Sequence, residues 1–303
     1  MSVLSVAYSV ISPIVITVAL SALLARYLKP DPRALSSIII YLFSPMLVLN
    51  SMANTELKAN ELAQIIGMVI VLAGVMSVIG FVAARWMRLD RRTESAFLMT
   101  AVLMNAGNYG IPLNEFAYGT PGMDRAVVYY VASALIANTY GVYLASRGTA
   151  SVRDSILNVF KLPMVYCLVI GLALNATGTP LPLPLERASQ VLGSAAVPGM
   201  LTLLGFQLAR ASLRGRLKPI MAAAGMRLLI APAVAVGLVA VFGLSGLTRN
   251  VAIVESAMPT AVITSALAIQ FDADGDFVAA AILFSTLASV LTLSVVLALL
   301  GVS

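Results

Sequence analysis

The chain is 303 residues long, 60% hydrophobic and only 11% charged, with a mean hydropathy of +0.97; this balance excludes a soluble globular protein and indicates a polytopic membrane protein. It has no histidine and a single cysteine, Cys167. An intrachain disulfide is therefore impossible, and HExxH metalloproteases, Ser-His dyads, histidine-ligated haem and histidine proton relays are excluded for want of an imidazole.

Stretches of about 19 or more mainly apolar residues, parted by short polar or Gly/Pro-rich joints, predict helical membrane spans. Ten are predicted, near 3–27, 35–53, 62–86, 96–117, 126–145, 156–177, 188–209, 219–242, 250–271 and 277–300. Span one has no basic segment ahead of it and reads as a retained span rather than a signal peptide. No stretch outside the spans is long enough for a soluble domain.

The net charge of +6 reports orientation rather than a nucleic-acid partner. The odd-numbered loops carry Arg26, Lys29 and Arg33, then Arg85, Arg88, Arg91 and Arg92, then Arg147, Arg153 and Lys161, then Arg210, Arg214, Arg216 and Lys218. The even-numbered loops carry only Lys58, Arg125, Arg187 and Arg249. The positive-inside rule places the odd loops in the cytoplasm and both termini outside.

The two halves of the chain resemble each other. "SPIVITVALSALL" around Pro13 in span one faces "LPMVYCLVIGLAL" around Pro163 in span six, and "SPMLVL" around Pro45 faces "VPGMLTL" around Pro198. Spans four and nine each hold an internal proline, Pro112 and Pro259. Because five is odd, two five-helix halves, 1–150 and 151–303, enter the membrane in opposite senses. The expected fold is therefore an all-α integral membrane bundle of two inverted repeats, an architecture of secondary transporters.

Span four contains NAGNYGIP, from Asn105 to Pro112, a run that a continuous helix tolerates poorly. Glycine lets the backbone unwind, Pro112 lacks an amide hydrogen, and Asn105 and Asn108 bring amides that both donate and accept. Counted at 1.5 Å per residue, this run lies roughly 20–27 Å along the helix from the cytoplasmic arginines, and Pro259 roughly 15 Å from Arg249 at the other face. Two unwound helices meeting at such depth create a polar site whose half-helix N-termini suit an anion. Pro13, Pro45, Pro163 and Pro198 have no such company and read as packed kinks.

NAGNYGIP, "MRLLIAP" (226–232), "ESAMPTAV" (255–262) and the leucine-rich "ILFSTLASVLTLSVVLALL" of span ten together resemble the auxin efflux carrier family, including its bacterial malate and malonate carriers. That family is related to the bile acid/sodium symporters. The resemblance covers essentially the whole chain. It implies ten helices in two inverted repeats with broken helices 4 and 9 crossing at the substrate site, a scaffold of helices 1, 2, 6 and 7, and a transport domain of helices 3–5 and 8–10. It further implies elevator-type transport and a homodimer through the scaffold. The long cytoplasmic loop of plant members is reduced here to about a dozen residues. The family's crossing element falls on Asn105, Gly107, Asn108, Gly110 and Pro112, and on Pro259. The second half lacks asparagine and glycine at Met258-Pro259-Thr260-Ala261, so Ser256, Thr260 and Thr264 are expected to supply hydroxyls.

Arg227 and Glu255 lie within spans, where ionisable groups are costly enough to be functional candidates. Three readings stand: a structural ion pair or a snorkelling Arg227, a proton-coupling pair in which Glu255 takes the proton and Arg227 is its electrostatic partner, or separate roles for the two. Asp272, Asp274 and Asp276 lack the glycine and glutamate positions of an EF-hand loop and read as a solvated loop in which Asp276 caps span ten. Asn175 to Thr177 forms a glycosylation sequon, meaningful only in a secretory eukaryotic setting.

The expected function is a secondary carrier of a small organic anion, a dicarboxylate or an auxin-like carboxylate, in the cell's inner membrane. It should act without enzymatic activity, cofactor or bound metal, and with membrane lipids as its surroundings. The alternatives are a sodium-coupled symporter of the bile-acid type and a non-transporting membrane receptor or scaffold.

Overall fold

A computed structural model describes residues 3–146, 159–211 and 217–302, together with 151, 153 and 157. Arg147, Arg214, Arg216, position 150 where the predicted halves meet, and the predicted start of span six at 156 lie outside the described residues. The architecture is helical: α1 (Val3–Leu28), α2 (Pro32–Ala53) and α3 (Ala59–Trp86), α4 (Arg91–Val102), α5 (Ala106–Ala145), α6 (Pro163–Thr177), α7 (Leu183–Leu208) and α8 (Leu217–Val241), α9 (Gly246–Ser256), α10 (Ile263–Gln270) and α11 (Gly275–Leu299). Among the described residues, β-pairing is confined to one isolated bridge, between Met104 and Thr260.

Seven of these helices are long and apolar enough to cross a membrane unaided, where the sequence predicts ten. Spans four and nine are each cut in two, leaving α4 before the first break and α9 and α10 around the second. The second part of span four runs on into span five as the 40-residue α5, kinked at Gly119. That residue takes φ 66° and ψ −162°, a conformation that glycine reaches without the steric cost of a Cβ. Span six begins only at Pro163, the first residue of α6, where a missing N–H costs nothing; Pro163 opens a helix and does not kink one.

Four other prolines follow a pattern. Among the described residues, wide helical turns with i→i+5 hydrogen bonding occupy Ala7–Ile11, Ile39–Phe43, Ala106–Gly110, Ala137–Gly141 and Met226–Ile230. Two residues beyond all but the turn at Ala137–Gly141 stands a proline: Pro13, Pro45, Pro112 and Pro232. The pyrrolidine ring crowds a carbonyl one turn back and offers it no N–H, and widening that turn relieves both problems.

α6 packs along the second half of α2, and α7 along α1. Gly171 sits on the Leu49 carbonyl and Gly205 on that of Val18, the close backbone approach that small residues permit between membrane helices. At one end of the bundle, Arg210 Nη2 donates to the Pro30 carbonyl (2.6 Å) and Arg92 Nη2 to Asp272 (2.6 Å). At the other end, Arg125 Nε donates to Thr248 Oγ1 (2.8 Å), Thr248 donates to Glu61 (2.9 Å), and Asn175 Nδ2 donates to the Thr55 carbonyl (2.9 Å). Asp274, not Asp276, caps α11 by accepting from the Phe277 amide (3.0 Å). The run Asp272 to Asp276 offers several candidate caps, and only the one three residues ahead of a free amide fits.

Candidate functional site

The two breaks meet. After α4, Leu103 is extended (φ −85°, ψ 119°) and Asn105 takes φ −83°, ψ 55° before α5 begins. Residues 257–262 form the second break. The Asn105 amide donates to the Pro259 carbonyl (2.9 Å) and the Ala261 amide to the Leu103 carbonyl (2.9 Å), so Met104 and Thr260 face each other as a narrow antiparallel pair. These two bonds satisfy backbone groups that would otherwise be stranded. Other polar groups of the break are met locally. The Thr260 amide donates to Ser285 Oγ (3.2 Å), Thr260 Oγ1 to the Thr100 carbonyl (2.9 Å), and the Gly110 amide closes a wide turn on the Asn105 carbonyl (3.1 Å).

Immediately past the bridge, each chain starts a new helix, α5 at Ala106 and α10 at Ile263. The first-turn N–H groups of a helix have no intrahelical acceptor, and the end carries about half a positive charge. Both N-termini line a cleft of about 1490 Å³. Its mouth holds Asp31, Arg33, Asp90, Arg92, Arg210 and Asp274, and its inner end is formed by 103–108 and 261–263, with Tyr130, Ser133 and Gln207 on the walls. Asn105 is buried, and its Nδ2 has no hydrogen-bond partner among the described residues. Gln207 Oε1, across the cleft on α7, is in the same position. At the mouth, Asp90 caps α4 by accepting from the Arg92 and Thr93 amides and the Thr93 hydroxyl. These bonds hold its carboxyl below the ordinary value of 3.8.

Of the residues singled out in the sequence, Asn105, Gly107 and Asn108 line the cleft. Gly110, Pro112 and Pro259 are buried behind it. The expected hydroxyls are turned inward: Ser256 Oγ donates to the Ala252 carbonyl (2.7 Å) and meets Tyr129 Oη (2.8 Å), while Thr260 and Thr264 donate to the carbonyls of Thr100 and Ala261.

Arg227 and Glu255 are both fully buried, and no ion pair within 4.0 Å joins them among the described residues. Arg227 instead spends its donors on backbone. Nε donates to Met258 O (3.1 Å), Nη1 to Ala101 O (3.2 Å) and Val102 O (3.3 Å), and Nη2 to Ser256 O (2.5 Å). Depth along a helix does not give azimuth, and it is azimuth that turns the guanidinium to these carbonyls.

Glu255 Oε1 accepts from Asn114 Nδ2 (2.9 Å), which also donates to the Gly110 carbonyl (2.9 Å). Glu255 Oε2 is buried and unpartnered among the described residues. The carboxylate lies against Gly110 so closely that a Cβ there would overlap it. Asn114, Tyr129 and Gln207 were missed by sequence reasoning. Asn114 follows Gly110 by four residues, one helical turn, which is the signal that could have found it.

A family model described as membrane transport protein matches residues 8–297. An uncharacterised transporter of Methanothermobacter thermautotrophicus is 28% identical over 271 residues, covering 88% of each chain. An uncharacterised transporter of Methanocaldococcus jannaschii is 23% identical over 270 residues, covering 86% of this chain and 87% of its own. With two interrupted helices joined at the end of a deep cleft and the family's pattern running through nearly its whole length, the chain belongs to the auxin efflux carrier/membrane transport family and is an integral membrane protein.

Proposed function

We propose that the protein is a secondary carrier of a small organic anion, a dicarboxylate or auxin-like carboxylate. The observation that carries this reading is the pair of helix N-termini, α5 and α10, that open side by side on the cleft beside the Asn105 side-chain Nδ2, which has no partner among the described residues. Helix-end partial charge and N–H donors together suit a carboxylate, which gains charge-assisted hydrogen bonds that a neutral solute does not.

Counting each interrupted pair, α4 with the start of α5 and α9 with α10, as one crossing gives ten crossings in two inverted five-helix halves, 1–150 and 151–303. The packing of α6 on α2 and α7 on α1 supports a scaffold of crossings one, two, six and seven, with the others as the transport domain. The cleft runs between these groups, as elevator movement of one past the other requires. The basic loops at its mouth favour a cytoplasmic opening, with both termini outside the inner membrane. The apolar outer faces of the scaffold meet lipid and a second copy of the chain. Glu255, with one oxygen unpartnered among the described residues and the other held by Asn114, is the group that takes the coupling proton.

The test is uptake of radiolabelled malonate, malate and indole-3-acetate by proteoliposomes under an imposed proton gradient, with sodium replaced by choline in parallel. Accumulation of one of these anions that needs the proton gradient but not sodium supports the reading. Failure to move any anion refutes it, and strict sodium dependence returns the carrier to the bile-acid type. Cysteines at Thr179 and Asp276, in a Cys167→Ser background, test orientation: an impermeant thiol reagent applied to intact cells should label position 179 and spare 276.

A further inference from the structure

Arg227 is the largest of the fully buried side chains, yet no carboxylate pairs with it within 4.0 Å among the described residues. An isolated guanidinium in such a place is costly, so its charge must be met by something else. Its four hydrogen bonds go to two places only. Ala101 and Val102 are the last residues of α4, whereas Ser256 ends α9 and Met258 lies just past it. A helix C-terminus carries about half an elementary negative charge, so two of them supply roughly the single negative charge the guanidinium needs. The planar fork reaches both at once, which an ammonium on a single stem does poorly.

We propose that Arg227 is a positioning residue for the transport site: a fixed internal cation that ties the C-terminal ends of α4 and α9 together. It thereby sets the register of the bridge between Met104 and Thr260, and with it the spacing of the two N-termini that face the cleft. The inference rests on the site proposed above. Half-helix C-terminal ends and unwound carbonyls are where carriers hold inorganic coupling cations; in this chain a side chain fills that place. The proton-partner role for Arg227 is thereby replaced by a structural one directed at a particular contact.

The test reads the bridge itself. Hydrogen exchange is measured in nanodiscs on peptides covering the Asn105 and Ala261 amides, which donate across the bridge, and on peptides from α3 as a reference. Arg227→Met should speed exchange at the bridge by about tenfold or more while α3 stays nearly unchanged, because opening is local; Arg227→Lys should fall between. If Arg227→Met does not fold, the lysine variant carries the comparison. Unchanged bridge protection in Arg227→Lys, or acceleration spread evenly over all helices, overturns the proposal.

A second measurement separates positioning from a direct role. Met104 and Thr260 form a narrow pair, at a Cα separation of about 4.5 Å, within disulfide range. In Cys167→Ser, Arg227→Lys protein carrying Met104→Cys and Thr260→Cys, oxidation should restore bridge protection and return malonate uptake towards that of the oxidised Arg227 parent. Restored protection without restored uptake contradicts positioning. A wild type inert to malonate, malate and indole-3-acetate alike counts against the carrier reading alone, and the exchange comparison still decides the clamp.

Discussion

Asn105→Ala isolates the substrate contact from the fold. The side chain makes no capping hydrogen bond at the start of α5, and its Nδ2 has no partner among the described residues. The bridge uses the backbone amide, which alanine keeps, and φ −83°, ψ 55° asks nothing that alanine cannot adopt. Truncation therefore breaks no hydrogen bond among the described residues, and it removes a buried, unsatisfied donor whose burial costs about 1–3 kcal/mol. Stability should change by no more than about 1 kcal/mol, with either sign, once the lost side-chain packing is set against that gain. With the anion bound, the same amide faces a charged acceptor, an interaction of about 1.5–3 kcal/mol. The loss corresponds to roughly 10- to 150-fold in Kd. The assay is equilibrium binding of whichever anion the wild type transports, together with thermal unfolding of both proteins in the same lipid. Unaltered affinity with a lowered Tm would refute the reasoning and make the break a purely structural feature.

Gly110→Ala should destabilise the protein by about 1–3 kcal/mol, the usual cost of overpacking, because its Cβ would overlap the Glu255 carboxylate; combining it with Glu255→Ala should relieve most of that loss in thermal unfolding. Glu255→Gln keeps an oxygen for Asn114 and cannot cycle a proton, so pH-dependent uptake should become flat while anion binding persists; an unchanged pH profile would return Glu255 to a structural role. Asp90, whose carboxyl is held below 3.8 by its capping bonds, stabilises α4 when ionised. That contribution is complete above the unfolded value and disappears as pH falls through the lower folded value. Asp90→Asn should therefore lower stability at neutral pH and flatten its dependence on pH in that acid window, so that the two proteins converge at the acid end, as read by unfolding between pH 2 and 7.

Much of this architecture is legible in the sequence because a membrane helix must satisfy its own backbone. Apolar length marks the spans, and the Gly, Asn and Pro cluster at 105–112 marks where one must break. The second break, with only Pro259 to announce it, is visible mainly by its likeness to the first. What the sequence does not display is how the breaks meet. Antiparallel pairing of Met104 with Thr260 joins residues 156 positions apart in the chain, and the leaning of one threonine towards extended backbone does not name its partner. Arg227 and Glu255 look like a pair when only depth is counted, yet they point to different partners, the one to helix ends and the other to Asn114. The hydroxyls of Ser256, Thr260 and Thr264 are polar groups in a span, and sequence alone does not reveal whether they face a ligand or a carbonyl one turn back. Four of the wide turns are legible in retrospect, since each precedes a proline by the same two residues; the one at Ala137–Gly141 carries no such mark.

The central claim, that the inner end of the cleft at Asn105 to Asn108 receives the transported anion, is tested most directly by protection of a single thiol. Asn108 is half-buried and lines the cleft. In Cys167→Ser protein carrying Asn108→Cys, alkylation by a small maleimide is timed with and without the transported anion at ten times its Kd. Occupancy then leaves about one site in eleven free, so alkylation should slow roughly tenfold, while a cysteine at Asp276 near the mouth keeps its rate. Equal rates at 108 with and without an anion that the same protein binds would contradict the account.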